Sequence, residues 1–219
     1  QVNSLHSDTT AKAASITESK VLKWADKLTT DSKTVKNVYK EKLGIDFEFL
    51  YAPLDISKFN NIQQIPKKEN QIVYIGRDSY EKGIDILKKI ENEVNGKVVY
   101  CTDLKWEDAM KNLKASNIIV IPSRMESIPQ VIKEAFFLKI PIIATNVGGI
   151  PELITDNVNG ILVPPNSPEL LQNAINKLLL DDETSKRLSD AGYEFVMNHL
   201  TWEILLPKYV KFYENLVNS

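Results

Sequence analysis

The sequence is poor in the residues that most disulfide and metal sites need. It contains one cysteine, Cys101, and two histidines among 219 residues. One cysteine excludes an intramolecular disulfide and a cysteine cluster around zinc, and it suits a reducing compartment. Two histidines exclude a histidine-rich metal site.

Glycine is also scarce, and its placement is uneven. Only 8 residues are glycine, and five of these lie in three short segments: Gly76, Gly83, Gly148, Gly149 and Gly160. Three glycine-dependent motifs are absent, namely G-x-x-x-x-G-K-[ST], G-x-G-x-x-G and G-x-S-x-G. Their absence argues against a P-loop, a dinucleotide-binding Rossmann site and a hydrolase nucleophile elbow.

Long apolar runs and an excess of one charge are missing as well. No run approaches the roughly 20 apolar residues of a membrane-spanning helix. The formal net charge is −2, which does not support binding to nucleic acid by counterion release. A hydrophobic content of 43% and a charged content of 26% are ordinary for a globular chain. The first residue is Gln1 and no signal-peptide pattern follows it, so we expect a processed or partial chain.

Short apolar runs alternate with helix-length amphipathic segments from residue 71 onward. The runs are 72–75, 98–100, 118–121, 142–144 and 161–163. They are continuously apolar, as in strands buried on both faces of a parallel sheet. The pattern predicts an α/β fold with a Rossmann-like, doubly wound parallel sheet, in which ligands bind beyond the carboxyl ends of the strands. Gly76 directly follows the first run, and Gly148 and Gly149 follow the fourth.

Four segments are predicted: a partial N-terminal domain at 1–52, a linker at 53–70, the sheet domain at 71–200 and a C-terminal helix at 201–219. In the first of these we predict a helix at about 17–25, a second helix between Ser32 and Gly44, and a strand at 47–51. Near the end we predict helices at 168–180, 183–198 and 202–217. Gly192 should weaken the second of these three, and Pro207 should kink or interrupt the last.

The segment 76–83 places two cations five residues apart between a predicted strand and a predicted helix. Arg77 offers a planar fork of donors and Lys82 a mobile point charge, so both could converge on one pair of phosphates. The start of the following helix favours the same anion. The alternative is a solvated loop with two surface cations.

The segment 122–135 supplies two carboxylates. Glu126 falls in the loop after the third run, and Glu134 lies eight residues later on the next helix, at the edge of its apolar stripe. A carboxylate can accept two hydroxyl protons, so a vicinal diol on a ribose or hexose is a suitable ligand. The alternatives are a half-buried boundary carboxylate for Glu134 and a dipole-stabilising acid for Glu126.

Other candidates allow two interpretations each. Gly148 and Gly149 could permit close approach of a ligand or simply form a tight turn. His6 could hydrogen-bond a sugar in a cleft, or it could be a strand-end histidine with a structural partner. The three tryptophans favour core positions over sugar platforms, and Cys101 favours an inert buried thiol.

Taken together, these segments resemble the retaining GT-B glycosyltransferases of family 4. The resemblance rests on the segment from Pro53 to Phe59, GRDSYEKG at 76–83, PSRMESIPQVIKEA at 122–135 with its E-x7-E pair, the segment 141–165, and TWE at 201–203. It covers about 150 residues in the order of the family. It implies the C-terminal, donor-binding domain of such an enzyme, preceded by the end of the N-terminal domain.

The resemblance also implies residue roles. Arg77 and Lys82 would bind the diphosphate of a UDP- or GDP-sugar, Glu126 would face the sugar, and Glu134 would hold the ribose hydroxyls. The backbone of Ser127 and Ile128 would lie near the sugar and phosphates, Thr102 and Asp103 would flank the base, and His6 would lie in the interdomain cleft. The family needs no metal in the site. Pro129 departs from its usual E-G-F-G sequence and lacks a backbone donor.

The function that follows is transfer of a hexosyl group from a nucleotide sugar to a glycan or lipid-linked acceptor, with retention of configuration. We expect a cytoplasmic location, with peripheral association at the inner face of the membrane as an option. Such a chain should bind donor better than it transfers sugar. Two alternatives are a non-catalytic nucleotide-sugar-binding module that needs a partner chain and a GT-B-type nucleotide-sugar epimerase.

Overall fold

The computed structural model describes Leu22, residues 24–63 and residues 65–218. His6 and most of the helix predicted at 17–25 therefore lie outside the described residues. The chain divides into two compact units. One consists of the described residues up to Ala52 together with the chain from Leu206, and the other is Pro53–Leu205.

The first unit contains a small parallel β-ribbon and a helix. Strand β1, Thr29–Thr30, pairs with β2, Glu48–Phe49, and helix α1, Lys33–Leu43, connects them. Ser32 caps α1 by accepting a hydrogen bond from the Val35 amide, and Gly44 ends it at φ 63°. Both predicted boundaries are confirmed, because a serine oxygen satisfies a free amide and glycine adopts the left-handed conformation without strain.

A parallel sheet organises the second unit. Within the described chain its strands are β3 (Gln71–Ile75), β4 (Lys97–Cys101), β5 (Ile118–Ile121), β6 (Ile142–Thr145) and β7 (Ile161–Val163). The strand order is β4-β3-β5-β6-β7, and every neighbouring pair is parallel. The predicted fold class is confirmed. The order reverses between β3 and β5, so the topological switch point of the sheet lies there.

Helices flank this sheet, and the last helix of the described chain begins in the second unit and continues into the first. They are α2 (Ile84–Ile90), α3 (Trp106–Lys114), α4 (Gln130–Phe137), α5 (Ile150–Leu153), α6 (Pro168–Leu179), α7 (Asp182–His199) and α8 (Trp202–Val217). The central strands are buried because their side chains are apolar on both faces; Ile72, Ile119 and Ile143 are each 0% exposed.

The segment 53–70, predicted as a linker, belongs to the second unit. It forms a 3-10 helix at Ile56–Asn61, and both Leu54 and Phe59 are buried. The backbone amide of Leu54 donates to the carbonyl oxygen of Leu200 at 2.7 Å, which ties the start of this unit to the end of α7. Apolar side chains in an asparagine-rich stretch thus anchor it to the domain.

Gly192 does not end the helix that was predicted at 183–198, and its weakening of that helix stays a prediction. Helix α7 runs through Gly192 to His199, and a Cβ at this position would lie only 2.3 Å from Cδ1 of Phe136. Glycine is needed there because α4 and α7 approach closely at this point.

Of the two effects expected at Pro207, the interruption is wrong, and the kink stays a prediction. Helix α8 continues through it to Val217. Proline removes the single backbone donor that would have reached Glu203, and the residues on both sides remain helical.

Tryptophan placement also differs from expectation. Trp24 is 84% exposed and Trp202 is 42% exposed, whereas the sequence favoured core positions for both. Trp106 is half-buried at the start of α3 and contacts a candidate site residue. The large apolar area of an indole therefore did not decide its burial in this chain.

Candidate functional site

The predicted site segments meet at the carboxyl edge of the sheet, beside the switch point. The loop 76–83 leaves β3 and leads into α2, and the loop 122–129 leaves β5 and leads into α4. Because β3 and β5 are parallel neighbours, both loops emerge at the same edge. This is the position at which open α/β sheets bind ligands.

An ion pair joins the two loops. The Lys82 ammonium lies 2.5 Å from Oε1 of Glu126, and the Ser123 hydroxyl donates to the same oxygen at 3.0 Å. The Glu126 side chain is 8% exposed and that of Lys82 is 26% exposed. The structure thus brings together a cation from the first loop and a carboxylate from the second, 44 residues apart in sequence.

A buried tyrosine forms a hydrogen bond with the backbone of the first loop. The Tyr74 hydroxyl donates to the backbone carbonyl of Arg77 at 2.7 Å, and Tyr74 is 2% exposed. Burial raises the pKa of Tyr74 far above its ordinary value, so the phenol stays a neutral donor. The Arg77 side chain itself is exposed at the mouth of the loop. Its backbone is therefore held while its guanidinium faces solvent.

Glu134 lies one turn into α4 and is 8% exposed, more deeply buried than expected. Its Oε1 accepts a hydrogen bond from the indole Nε1 of Trp106 at 2.8 Å. Burial raises the pKa of the Glu134 carboxyl, and the Trp106 hydrogen bond and the positive charges of Lys133 and Lys58 oppose that rise. Such a carboxylate has little competition from water for a hydroxyl-bearing ligand.

An aromatic cluster holds the Trp106 ring. Phe59 contacts it edge-on at a centroid distance of 5.1 Å, and Phe59 also packs against Phe137 at 4.7 Å. Phe59 comes from the 3-10 helix before the sheet, and Phe137 ends α4. The indole donor to Glu134 is thus fixed by packing from two other elements.

The remaining candidates lie around this edge. Thr102 and Asp103 follow β4; Thr102 is half-buried, and Asp103 is exposed with φ 52°. Ser127 is exposed in the second loop, whereas Ile128 is 9% exposed. Their placement next to β3 and β5 is compatible with the implied roles, which stay predictions.

The glycine pair after β6 contacts the second loop. A Cβ on Gly148 would lie 1.8 Å from the carbonyl oxygen of Glu126, and one on Gly149 would lie 2.1 Å from that of Ser127. Gly148 also has φ 53°. Both positions therefore require glycine, because the backbone of this tight turn lies close to the backbone of the loop that carries Glu126. Their proposed part in a ligand cleft remains a prediction.

Sequence reasoning missed three residues that organise the site. Ser123 and Trp106 hydrogen-bond the two glutamates, and Arg124 fastens several loops together. Arg124 lies two residues before the loop glutamate in the sequence, and this proximity could have indicated that it belongs to the site. Nothing in the sequence linked Trp106 to Glu134, since 28 residues separate them.

Among the described residues, no three His, Cys, Asp or Glu side chains lie close enough to hold a metal ion together. In the same part of the chain, no helix combines the length and apolarity needed to cross a bilayer. The candidate site itself carries two cations, Arg77 and Lys82, and two carboxylates, Glu126 and Glu134. Together they offer cations for an anionic group and carboxylates for hydroxyl groups.

Comparison with protein families gives a match to the glycosyl transferases group 1 over residues 88–195. The match includes both glutamates and begins after the loop that carries Arg77 and Lys82. An uncharacterized glycosyltransferase of Methanocaldococcus jannaschii is 28% identical over 88% of this chain and 60% of its own length. A D-inositol 3-phosphate glycosyltransferase of Corynebacterium diphtheriae is 31% identical over 47% of this chain and 24% of its own length. These similarities support a transferase.

Solved structures share the fold. Sucrose-phosphate synthase from Thermosynechococcus elongatus superposes with a TM-score of 0.81 at 20% identity, over 99% of this chain and 64% of that protein. The Anabaena protein HepE, crystallised with UDP and glucose, gives a TM-score of 0.81 at 15% identity, over 98% of this chain and 69% of that protein. At these identities the likeness shows the fold alone, an α/β fold with a parallel sheet. The chain spans 55 to 60% of the length of the first three curated relatives that it matches.

Proposed function

We propose that this chain is the donor-binding part of a retaining glycosyltransferase of family 4. It would transfer a hexosyl group from a UDP- or GDP-sugar to a glycan or lipid-linked acceptor. The observation that carries the proposal is the Lys82–Glu126 pair at the switch point of the sheet, with Arg77 on the same loop as Lys82. The family match and the glycosyltransferase relatives support the reaction class.

Arg77 and Lys82 would bind the diphosphate of the donor. In the free chain the charge of Lys82 is balanced by Glu126. A diphosphate brings more than one negative charge, so it competes with a single carboxylate for the ammonium. When the glycosidic bond breaks, the negative charge on the leaving phosphate grows, and preorganised cations stabilise it most at that moment.

Glu126 would face the donor sugar once Lys82 turns toward the phosphates. The Ser123 hydroxyl still donates to its Oε1, which keeps the carboxylate oriented during this exchange. The backbone amides of Ser127 and Ile128 would add donors near the sugar and phosphates. Pro129 cannot donate, so it limits the number of backbone contacts at this turn.

Glu134 would hold the ribose hydroxyls, and the loop at Thr102 and Asp103 would flank the base. Gly148, Gly149 and His6 would border the cleft between donor and acceptor. We propose a metal-independent reaction, in which the two cations perform the charge stabilisation that a metal ion performs elsewhere. A cytoplasmic location, where nucleotide sugars are available, fits this function.

Titration of the folded protein with UDP, GDP and their glucose and mannose conjugates tests the donor site. Arg77→Ala and Glu134→Ala should each weaken nucleotide binding about tenfold or more, because each removes hydrogen bonds that involve a charged group. Arg187→Ala and Glu194→Ala, two exposed positions on α7, serve as matched controls and should bind as the wild type does.

The proposal fails if well-folded protein binds no nucleotide and no nucleotide sugar. Retention is tested separately by the anomeric configuration of the transferred sugar in the proton NMR spectrum of the product. A product of inverted configuration would contradict the retaining mechanism without affecting the donor site. Sugar isomerisation without an acceptor would instead favour an epimerase.

A further inference from the structure

Arg124 is a nearly buried arginine that contacts several loops at the carboxyl edge of the sheet. Its side chain is 10% exposed, although it follows β5 in a loop. Two of its nitrogens, Nη1 and Nη2, donate to Oδ1 and Oδ2 of Asp85 at 2.7 and 2.8 Å. Asp85 lies in the first turn of α2. This bidentate geometry is the strongest that an arginine and a carboxylate form.

The guanidinium has two further hydrogen bonds and one ring contact. Nη1 donates to the carbonyl oxygen of Tyr80 at 2.7 Å, and Nε donates to Oδ1 of Asn166 at 2.6 Å. The Tyr80 ring covers the guanidinium at 4.1 Å from its centroid. Asn166 follows β7, so a single side chain joins the loops after β3, β5 and β7.

The backbone of the same residue strengthens the connection. The amides of Arg124 and Met125 both donate to the carbonyl oxygen of Glu81, at 2.8 and 3.2 Å. On the other side of Lys82, a Cβ on Gly83 would lie 2.0 Å from the carbonyl oxygen of Pro122. The residues directly before and after Lys82 are therefore both fixed against the segment that begins at Pro122.

We propose that Arg124 is the positioning residue for the diphosphate-binding cations, and above all for Lys82. The inference rests on the proposed function, since it concerns the same donor site. Arg124 does not touch the donor. It acts through the loop 76–83, whose main chain it holds so that the Lys82 ammonium reaches either Glu126 or a phosphate.

The geometry requires arginine in particular. Lysine could pair with Asp85, but it lacks the planar fork that reaches Asp85, Tyr80 and Asn166 at the same time. Loss of the fork removes the side-chain bonds that hold the loop at Tyr80 and at Asp85, although the backbone bonds to Glu81 remain, so the effect should fall on recognition of the β-phosphate. Binding of the base and ribose, which uses other loops in the proposed site, should change little.

Comparison of UDP with UMP measures this effect. In the wild type, the ratio of the UMP Kd to the UDP Kd reports what the β-phosphate contributes. Arg124→Lys, Arg124→Ala and Asp85→Asn should each reduce this ratio about tenfold, the loss expected for charged hydrogen bonds, while the UMP Kd changes less than threefold. Arg187→Ala, an exposed arginine with one backbone contact, should leave the ratio unchanged.

The outcomes separate the inference from the proposed function. If Arg124→Ala does not fold, Arg124→Lys and Asp85→Asn carry the test, because each keeps the volume of the side chain approximately. Folded variants that keep the wild-type ratio, or that lose UMP and UDP binding equally, overturn the positioning role and leave the donor site intact. If the wild type binds GDP instead of UDP, the same ratio is measured with GMP and GDP, and wild-type protein that binds none of the four nucleotides overturns both.

Discussion

At the scale of single residues, the indole of Trp106 determines how Glu134 presents its carboxylate. The hydrogen bond at 2.8 Å occupies one carboxylate oxygen and partly compensates for burial. Trp106→Phe keeps an aromatic ring beside Phe59 and removes only the donor. We expect about a tenfold loss of UDP affinity, since hydrogen bonds to charged groups contribute about 1.5 to 3 kcal/mol.

A chemical control makes this prediction specific. If Trp106 acts through the ribose-binding carboxylate, the Trp106→Phe change should leave the affinity for 2′,3′-dideoxy-UDP unaltered. Isothermal titration of both nucleotides checks it. An equal loss for both nucleotides would mean that the substitution damages the site generally. Trp24→Phe, at a side chain that is 84% exposed, is the matched substitution and should change neither affinity.

The ionisation of Glu134 should affect stability as a function of pH. Burial raises its pKa, so the folded chain binds a proton more tightly than the unfolded chain does. Stability contributed by this group therefore falls as pH rises from the ordinary value of 4.5 through the raised pKa. Glu134→Gln removes that loss and should stabilise the protein at pH 7 relative to the wild type.

Urea unfolding of Glu134→Gln and wild type between pH 4 and 8 measures the difference. The free energies of unfolding should converge near pH 4 and separate above it. Nucleotide binding should weaken in the same variant, as is usual when a buried functional charge is removed. Glu194→Gln, at an exposed position of α7, should show no such divergence. A constant difference at all pH values would contradict the assignment.

At the scale of elements, the glycine turns decide how the loops fit together. Gly148 and Gly44 both have positive φ, 53° and 63°, but a Cβ on Gly44 would have nothing within 4 Å. Gly44→Ala should therefore cost only the left-handed backbone strain, about 1 to 2 kcal/mol, and should leave nucleotide affinity unchanged. It is an internal control for the next substitution.

Gly148→Ala should behave differently. The substitution adds the same backbone strain, and its Cβ would also lie 1.8 Å from the carbonyl oxygen of Glu126. The loop that carries Glu126 must therefore move. We expect a larger loss of stability than for Gly44→Ala, together with a loss of nucleotide affinity. Thermal unfolding and UDP titration of the two variants check both points. Wild-type affinity in folded Gly148→Ala would show that this turn does not shape the site.

At the scale of the whole molecule, the described site residues all belong to one unit. Arg77, Lys82, Glu126 and Glu134 lie within Pro53–Leu205, which also holds the sheet and its core. A chain trimmed to Pro53–Leu205 is therefore expected to fold and to bind UDP with a Kd within about threefold of that of the longer chain, as expected for a domain with its own core.

Circular dichroism and UDP titration of the trimmed chain test this expectation. Sugar transfer is a separate matter, because the curated relatives are longer than this chain by a large margin. A trimmed chain that folds but does not bind UDP would show that residues outside Pro53–Leu205 complete the donor site. His6 would then be the first candidate to substitute.

The sequence predicted much of the fold because the fold depends on local patterns. Continuous apolar runs marked all five sheet strands, and Ser32 and Gly44 marked both ends of α1. The packing at Gly192 had no local signal, since its neighbour Phe136 comes from another helix. Helix propensity is a local property, so it does not predict a contact between residues that are distant in sequence.

The sequence by itself determined which residue types the site would use. Two cations and two carboxylates at fixed spacing after buried strands already pointed to a phosphate and a diol. Only the tertiary structure decided which of them meet: Lys82 with Glu126, Glu134 with Trp106, and Arg124 with Asp85. The physical reason is that parallel strands bring loops from distant parts of the chain to one edge. Register and strand order, which emerge only on folding, then set the distances between their side chains.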